Sequence, residues 1–347
     1  MANEIEKVNS IAIGDIEKVS SRTDDNIQAI NSLEFTGSSP YTAHVFTSTG
    51  ELNVSSGGEA QILVVGGGGS AGVSNTSSYD DPAGAGGAGG FRVLSMTLAD
   101  STYYKAVVGG EEATSSFQVL SGGSGSPASG YATAHTDSAG NSLSGGNEYT
   151  YAEGGGKGGR GDGSSGYGGG SGGGGGLWKS PTTGTQAAGG GVSAFPEAQG
   201  YPGGYANGLP APWGTGGGGG AAEAGNTDGY GSGGGGVGGD GRNNTYADGT
   251  SVTYSGGGGG FSGSSPSARS PGGDGGGGSG GSNTPSNSAL SGTPGTANRG
   301  GGGGGWDGDW SQGSPTKGSG GSGIIVIRYV TGACSASGGN STNTYDE

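Results

Sequence analysis

Between Ser121 and Gly323 there is no isoleucine, and the only aliphatic residues beyond alanine are Leu143, Leu177, Val192, Leu209, Val237, Val252 and Leu290. A conventional hydrophobic core is excluded for that stretch, because it has too little apolar surface to offset the entropy of ordering it. The 347 residues include one cysteine, Cys334, so no internal disulfide can staple the chain. Of the two histidines, His44 falls in an expected strand and His135 in a polar loop. With a single cysteine beside them, they leave no thiol or zinc constellation. Only 13 basic residues stand against 28 acidic ones, a net charge of −15. That balance, with no cluster of Lys and Arg, argues against a nucleic-acid partner. No apolar run is long enough to span a bilayer as a helix, and Met1–Ser10, with Glu4, Glu6 and Lys7, has no apolar leader segment.

What the chain has is glycine, 96 residues of it. Runs of five or six fill 172–176, 216–220, 256–260 and 300–305, with starts 44, 40 and 44 residues apart. Each is followed 17 to 19 residues on by a second run, starting at Gly189, Gly233, Gly275 and Gly318. Each long run ends on an apolar residue: Leu177, Ala221, Phe261 or Trp306. A flexible linker needs no spacing, whereas periods of this length mark stacked units. Order must then come from the backbone. Polyproline II has three residues per turn and no internal hydrogen bonds, so its N–H and C=O groups point outward. All-glycine strands can approach until those groups pair between neighbours. The tract 121–323 is therefore read as a polyglycine II bundle.

Residues 5–37 divide into three units of eleven: IEKVNSIAIGD, IEKVSSRTDDN and IQAINSLEFTG. Their Asn-Ser, Ser-Ser and Gly-Asp breaks favour turns, so short strands or a small solenoid are expected, with an eleven-residue helical repeat as the alternative. From Phe35 the pattern becomes short strands: 41–47, 51–54, 60–65, 91–98, 103–108 and 116–120. Ile324–Val330 is the most apolar strand of the chain, and its simplest slot is in the sheets of 38–120. The expected architecture is all-β, essentially without helix: an attachment module (1–37), the first part of a β-sandwich (38–120), a large polyglycine II insertion (121–323), a closing strand (324–332) and a polar tail (333–347) that is exposed or crosses to a neighbour.

Several motifs invite a chemical reading. Ile62–Val65 followed by Gly66, Gly68 and Ala71 matches a dinucleotide fingerprint, but that motif needs a helix next, and 73–90 is rich in Gly, Ser, Asn, Asp and Pro. No cofactor is expected. Gly235–Asp240 resembles one calcium nonapeptide without a tandem copy. No metal site is assigned, although scattered loop Asp residues leave calcium open. Arg160-Gly161-Asp162 is a tripeptide that chance supplies readily in a glycine-rich chain. The acid pairs Asp80-Asp81 and Asp307/Asp309 read as solvated loop carboxylates rather than acid–base catalysts, so no enzymatic activity is expected. Trp306 and Trp310 either cap a glycine run or present indoles to a ligand.

The combination of Ile62-Leu63-Val64-Val65 with Gly66–Gly69, then Gly86–Phe91, Tyr103–Gly109 and the closing Gly320–Tyr329 resembles the glycine-rich domains of phage tail and other virion proteins, over roughly residues 38–331. The opening IEKVNSIAIGDIEKV is similar to N-terminal repeats of marine and cyanobacterial phage structural proteins. The glycine tract is similar in style to the polyglycine II adhesins at the tips of T-even-type long tail fibres. A more distant likeness is the extracellular glycine-rich region of anaplastic lymphoma kinase, where a TNF-like β-sandwich carries glycine helices. The resemblance implies a virion protein, made in the host cytoplasm without a signal peptide and extracellular after lysis. A tail-fibre or adhesin component is one reading, and a capsid-decoration, neck or tail-assembly subunit the other. Expected partners are other virion proteins through 1–37, a host surface glycan or protein, and further copies of the chain, a trimer being favoured. The aromatic loop residues Tyr201, Tyr205, Trp213, Trp306 and Trp310 are the candidate receptor contacts, since exposed rings stack on sugars or grip a protein loop with little rotamer entropy to lose. Pro202, Pro210 and Pro212 stiffen the loop holding the first three.

Overall fold

The computed structural model describes residues 40–73, 81–120, 151–177, 199–206, 214–227, 234–263, 269–282, 291–308 and 316–347, together with short paired strands at 18–19, 22–23, 29–30 and 33–34 and the pair β11 (His135–Thr136) and β12 (Ser142–Leu143). Among the described residues there is no helix.

In the eleven-residue repeats, β1 (Lys18–Val19) pairs antiparallel with β2 (Arg22–Thr23), and β3 (Ala29–Ile30) with β4 (Leu33–Glu34). The second hairpin repeats the first eleven residues later, which favours the short-strand reading over a helical repeat. The remainder of 1–37 lies outside the described residues.

Two five-stranded antiparallel sheets form the sandwich. The first has the order β18-β5-β16-β7-β8, made of Ser341–Tyr345, Tyr41–Phe46, Ile324–Val330, Gly58–Val65 and Phe91–Leu98. The second has the order β13-β10-β9-β6-β17, made of Tyr151–Ala152, Ser115–Leu120, Thr102–Val107, Gly50–Ser56 and Ser335–Gly338. Ile324–Val330 takes the central slot, pairing Val326 with Val45 on one side and Leu63 on the other. Phe46, Leu52, Ile62, Val64, Tyr104, Phe117, Ile325 and Ile327 fill the space between the sheets. The opposite face of the first sheet is also covered. There Leu63, Val65, Ile324 and Val326 pack with Tyr254, Tyr246 and Val252 of a hairpin, β14 (Arg242–Asn244) and β15 (Val252–Tyr254), that rises from the glycine tract. A strand buried on both faces needs an unbroken apolar run, which is what Ile62–Val65 and Ile324–Ile327 supply. Residues 333–347 are not a free tail: β17 closes one sheet and β18 the other.

The glycine tract forms a lattice of extended segments whose hydrogen bonds recur every third residue. Gly66, Gly69 and Gly72 donate to the carbonyls of Gly90, Gly87 and Gly84. Gly84, Gly87 and Gly90 donate in turn to Gly159, Gly156 and Glu153, while Ala83, Gly86 and Gly89 donate to Trp306, Gly303 and Gly300. Ala85 and Ala88 donate to Gly216 and Gly219, and accept from Gly174 and Ser171; Gly86 accepts from Gly258. Segment 83–90 thus bonds to six neighbours: 66–72, 153–159, 171–174, 216–219, 258 and 300–306. That is hexagonal packing around a threefold helix, the arrangement expected of polyglycine II.

The repeat now has a physical meaning. All four long glycine runs border the central segment 83–90, whose only side chains are the buried methyl groups of Ala83, Ala85 and Ala88. A Cβ on Gly174, Gly218, Gly258 or Gly302 would stand 2.0, 1.9, 2.1 or 2.1 Å from a carbonyl oxygen of an adjacent segment. Gly301–Gly305 have no positive φ, so these glycines are required for space rather than for an unusual backbone angle. The three described second runs lie further out. Gly236 and Gly239 bond to Thr215 and Gly218, Gly278 and Gly281 to Gly302 and Gly305, and Gly318 and Gly321 to Gly304 and Gly301. The lattice also reaches beyond the tract 121–323, since its centre, 83–90, and one neighbour, 66–72, precede that tract. Both are continuations of sandwich strands. The Val65–Phe91 pair is followed by Gly66 bonded to Gly90, and the Ile324–Val65 pair by Gly68 bonded to Gly321. At that boundary the repeat of the chain changes from two residues to three.

Candidate functional surface

The direction of each segment follows from its partners. Chain leaving the sheet at Gly66 runs outward to Val73 and returns through 83–90 to Phe91, so Gly72, Gly84 and Gly159 mark the end remote from the sheets. Leu177 bonds to Pro82, Trp306 pairs with Ala83, and Gly305, Gly281 and Ser262 bond in series. Thr215 bonds to Phe261, Gly204 to Gly217, and Ala71 to Gly318. All these therefore lie at the same remote end. The connections 73–81, 206–214, 227–234, 263–269, 282–291 and 308–316 each leave and re-enter the lattice there. Connections on the sheet side are the short turns at 221–223, 274–276 and 297–300 and the covering hairpin 242–254.

The apolar residues that end the long runs seal this arrangement. Leu177, Phe261 and Trp306 are buried at the remote end, whereas Ala221, whose run is oriented the opposite way, is buried against the first sheet. Trp306 packs on Ala71 and Ala83, and its indole N–H donates to Gly72 O at 2.7 Å. Of the two readings of this ring, capping a glycine run is the one its surroundings fit. Trp213 and Trp310 lie outside the described residues.

Tyr201 and Tyr205 are exposed, at 41% and 52%. They stand on segment 199–206, which pairs with 171–177 through Gly172 to Tyr201 and Gly175 to Gly204. Tyr167, 52% exposed, stands on 164–170, bonded to the same segment through Gly173 to Tyr167 and Gly176 to Ser164. The three rings share one flank of the lattice, on the side of 171–177 away from the centre. Tyr167 is not among the candidates that the sequence ranks first; its signal is the Gly166-Tyr167-Gly168 step just before a long glycine run.

The remaining motifs have structural uses. Gly66, Gly68 and Ala71 spend their amides on Gly90, Gly321 and Gly318, leaving none to cradle a pyrophosphate. Asp240 accepts from the Asp274 amide at 2.7 Å, and no group of three metal-ligating side chains occurs among the described residues. Arg160 pairs with Asp162 at 3.5 Å in a turn at the remote end. Asp81 and Asp307 are buried and engaged rather than solvated; Asp80 and Asp309 lie outside the described residues. His44 is buried beneath the tail. Its Nδ1 contacts Gly338 O at 2.9 Å and its Nε2 the Tyr329 hydroxyl at 2.9 Å, so Nδ1–H donates and Nε2 accepts. Desolvation holds its pKa below the usual histidine value. Burial pushes the Cys334 thiol up, away from reactivity.

Residues 46–330 match the family model of a glycine-rich domain. The chain belongs to the glycine-rich domain family. The family's span runs from the last residue of β5 to the last of β16, so it takes in most of the sandwich and the whole lattice as one unit. The chain matches no curated protein and no solved structure. Among the described residues no helix is long and apolar enough to cross a membrane.

Proposed function

We propose that this glycine-rich domain protein is a virion structural component of tail-fibre or adhesin type, in which the lattice is a rigid mount for recognition loops. The observation that carries this reading is the gathering of six connections at the end remote from the sheets. A backbone-bonded lattice constrains its interior to glycine but sets no demand on what joins neighbouring segments, so loop sequence can vary without touching the fold. Those loops hold Trp213 and Trp310, and the flank holds Tyr167, Tyr201 and Tyr205. Rings of this kind suit a host surface glycan or protein. The eleven-residue hairpins of 1–37 are the attachment to other virion proteins, and the particle is the site of action. A capsid-decoration, neck or tail-assembly role would use the same scaffold with no receptor.

The test is to replace 207–213 and 309–315 by Gly-Ser linkers of equal length, with binding to host cells, position on labelled particles and melting temperature measured together. Binding lost with melting unchanged is the expected result. Particles that carry the variant and bind hosts normally would move the protein to the purely structural role.

A further inference from the structure

Among the described residues, one edge of the first sheet has no partner strand. β8 pairs with β7 through all eight of its residues, Phe91–Leu98, and has no partner strand on its other side. The Phe91 amide donates to Gln199 O, away from β7. Because successive residues of a strand alternate in direction, the backbone groups of Val93, Ser95 and Thr97 also face outward. Among the described residues nothing bonds to these three consecutive outward rungs. Val93 is 45% exposed, and Leu94 and Met96, on the inner face, are only partly buried against the sandwich core.

Exposed edges template pairing with another chain, and folded proteins blunt them. The other three edges here are blunted. β13 has two residues; β17 has four and a register break between Ser335 and Ala336; β18 is tied by Asn343 and Tyr345 to the carbonyls of Ala247 and Tyr246. β8 has no proline, no register break and no charge beyond Arg92, whose guanidinium turns back to Tyr151 O.

We infer that β8 is a self-association edge, pairing antiparallel with β8 of a second copy about a twofold axis at Ser95. That register sets Ser95 opposite Ser95, Val93 opposite Thr97 and Leu94 beside Met96, each outward pair exchanging two hydrogen bonds. It completes the cover of the two half-buried inner side chains and fuses two five-stranded sheets into one. A second copy is the occupant that the charge favours. In a chain of net charge −15, most surfaces of two copies repel, whereas 93–97 is an uncharged five-residue stretch in which no like charges meet. This inference does not depend on the proposed receptor role.

Sedimentation of the full chain gives a species of twice the 32.6 kDa protomer. Ser95→Pro removes only an outward-facing amide and Ser95→Asp sets two carboxylates face to face, so both sediment as monomers that unfold cooperatively at a temperature independent of protein concentration. Ser95→Cys forms a disulfide-linked dimer under mild oxidation, since directly opposed strand residues lie within disulfide reach, while Glu51→Cys on the second sheet does not. If the proline variant fails to fold, the other two variants decide. A monomeric wild type, an oligomer untouched by Ser95→Asp, or Ser95→Cys cross-linking no faster than Glu51→Cys overturns the inference.

Discussion

The carbonyl oxygen of Gly86 lies 1.9 Å from where a Cβ on Gly218 would stand, while the Gly218 amide donates to Gly258 at 2.8 Å. Neither residue has a side chain: the Gly86 backbone excludes one from Gly218, and Gly69 O, also at 1.9 Å, excludes one from Gly86. Gly218→Val or Gly258→Val must push segments apart and strand backbone groups, at a cost of about 4 kcal/mol. Ala88→Gly, at a position where the lattice accommodates a methyl group, should cost under about 1 kcal/mol. Thermal denaturation of the three variants checks the contrast, and equal stability would dismiss the lattice.

The aromatic residues divide by surroundings. Trp306→Ala removes a buried ring and an indole hydrogen bond, and should destabilise by about 3 kcal/mol or more. Tyr201→Ala and Tyr205→Ala should stay within about 0.5 kcal/mol of the parent. If the receptor role holds, the tyrosine variants weaken host-surface binding and Trp306→Ala acts only through folding. Melting curves beside a cell-binding assay separate the two classes.

Acid should weaken the fold through His44. Its folded pKa lies below the unfolded value because burial disfavours the imidazolium. The unfolded chain therefore takes up a proton first as pH falls. His44 contributes full stability above its unfolded pKa of about 6.5 and loses it progressively down to the depressed folded value. His44→Gln should lower stability at pH 7.5 while flattening the decline between pH 7 and 5, a slope that pH-dependent denaturant melts resolve.

Arg328 clamps the tail and the covering hairpin to the first sheet. Its guanidinium lies 4.3 Å from the Tyr41 ring centroid and 3.7 Å from that of Tyr246, bonds to Gln61 Oε1 at 2.8 Å, and pairs with Glu347. The Arg328 hydrogen bond holds the Glu347 carboxyl below its usual pKa, so this contact is present at neutral pH and lost as pH falls through the depressed value. Arg328→Met should cost about 3 kcal/mol and raise hydrogen exchange in β18 and in the 242–254 hairpin before the rest of the sandwich.

Much of this was legible in the sequence, and the parts that were not have a common cause. The strands of the sandwich announce themselves by apolar alternation, and Ile324–Val330 by needing a slot on two covered faces. The spacing of 40 to 44 residues reported four of the six segments that ring 83–90. The centre itself went unread because its signature is a period of three, Pro82, Ala85, Ala88 and Phe91, rather than a long glycine run. Which segment bonds to which is carried by backbone groups identical in every glycine, so side-chain pattern cannot encode it. The strands of 333–347 were hidden for a different reason. Ser341–Tyr345 is polar at four of five positions and is held by pairing with β5 and by Tyr345, not by burial of an apolar face. Among the aromatics, the sequence could not tell the buried Trp306 from the exposed Tyr205, because both border glycine runs.

Three neighbouring strands of the first sheet, β7, β8 and β16, pass without interruption into adjacent lattice segments. A pull applied at the remote end is thus transmitted along covalent chain into the centre of the sheet. There it acts parallel to the strands, so rows of hydrogen bonds must yield together in shear instead of peeling one at a time. A lattice rooted this way can be loaded at its remote end while the body behind it keeps its shape.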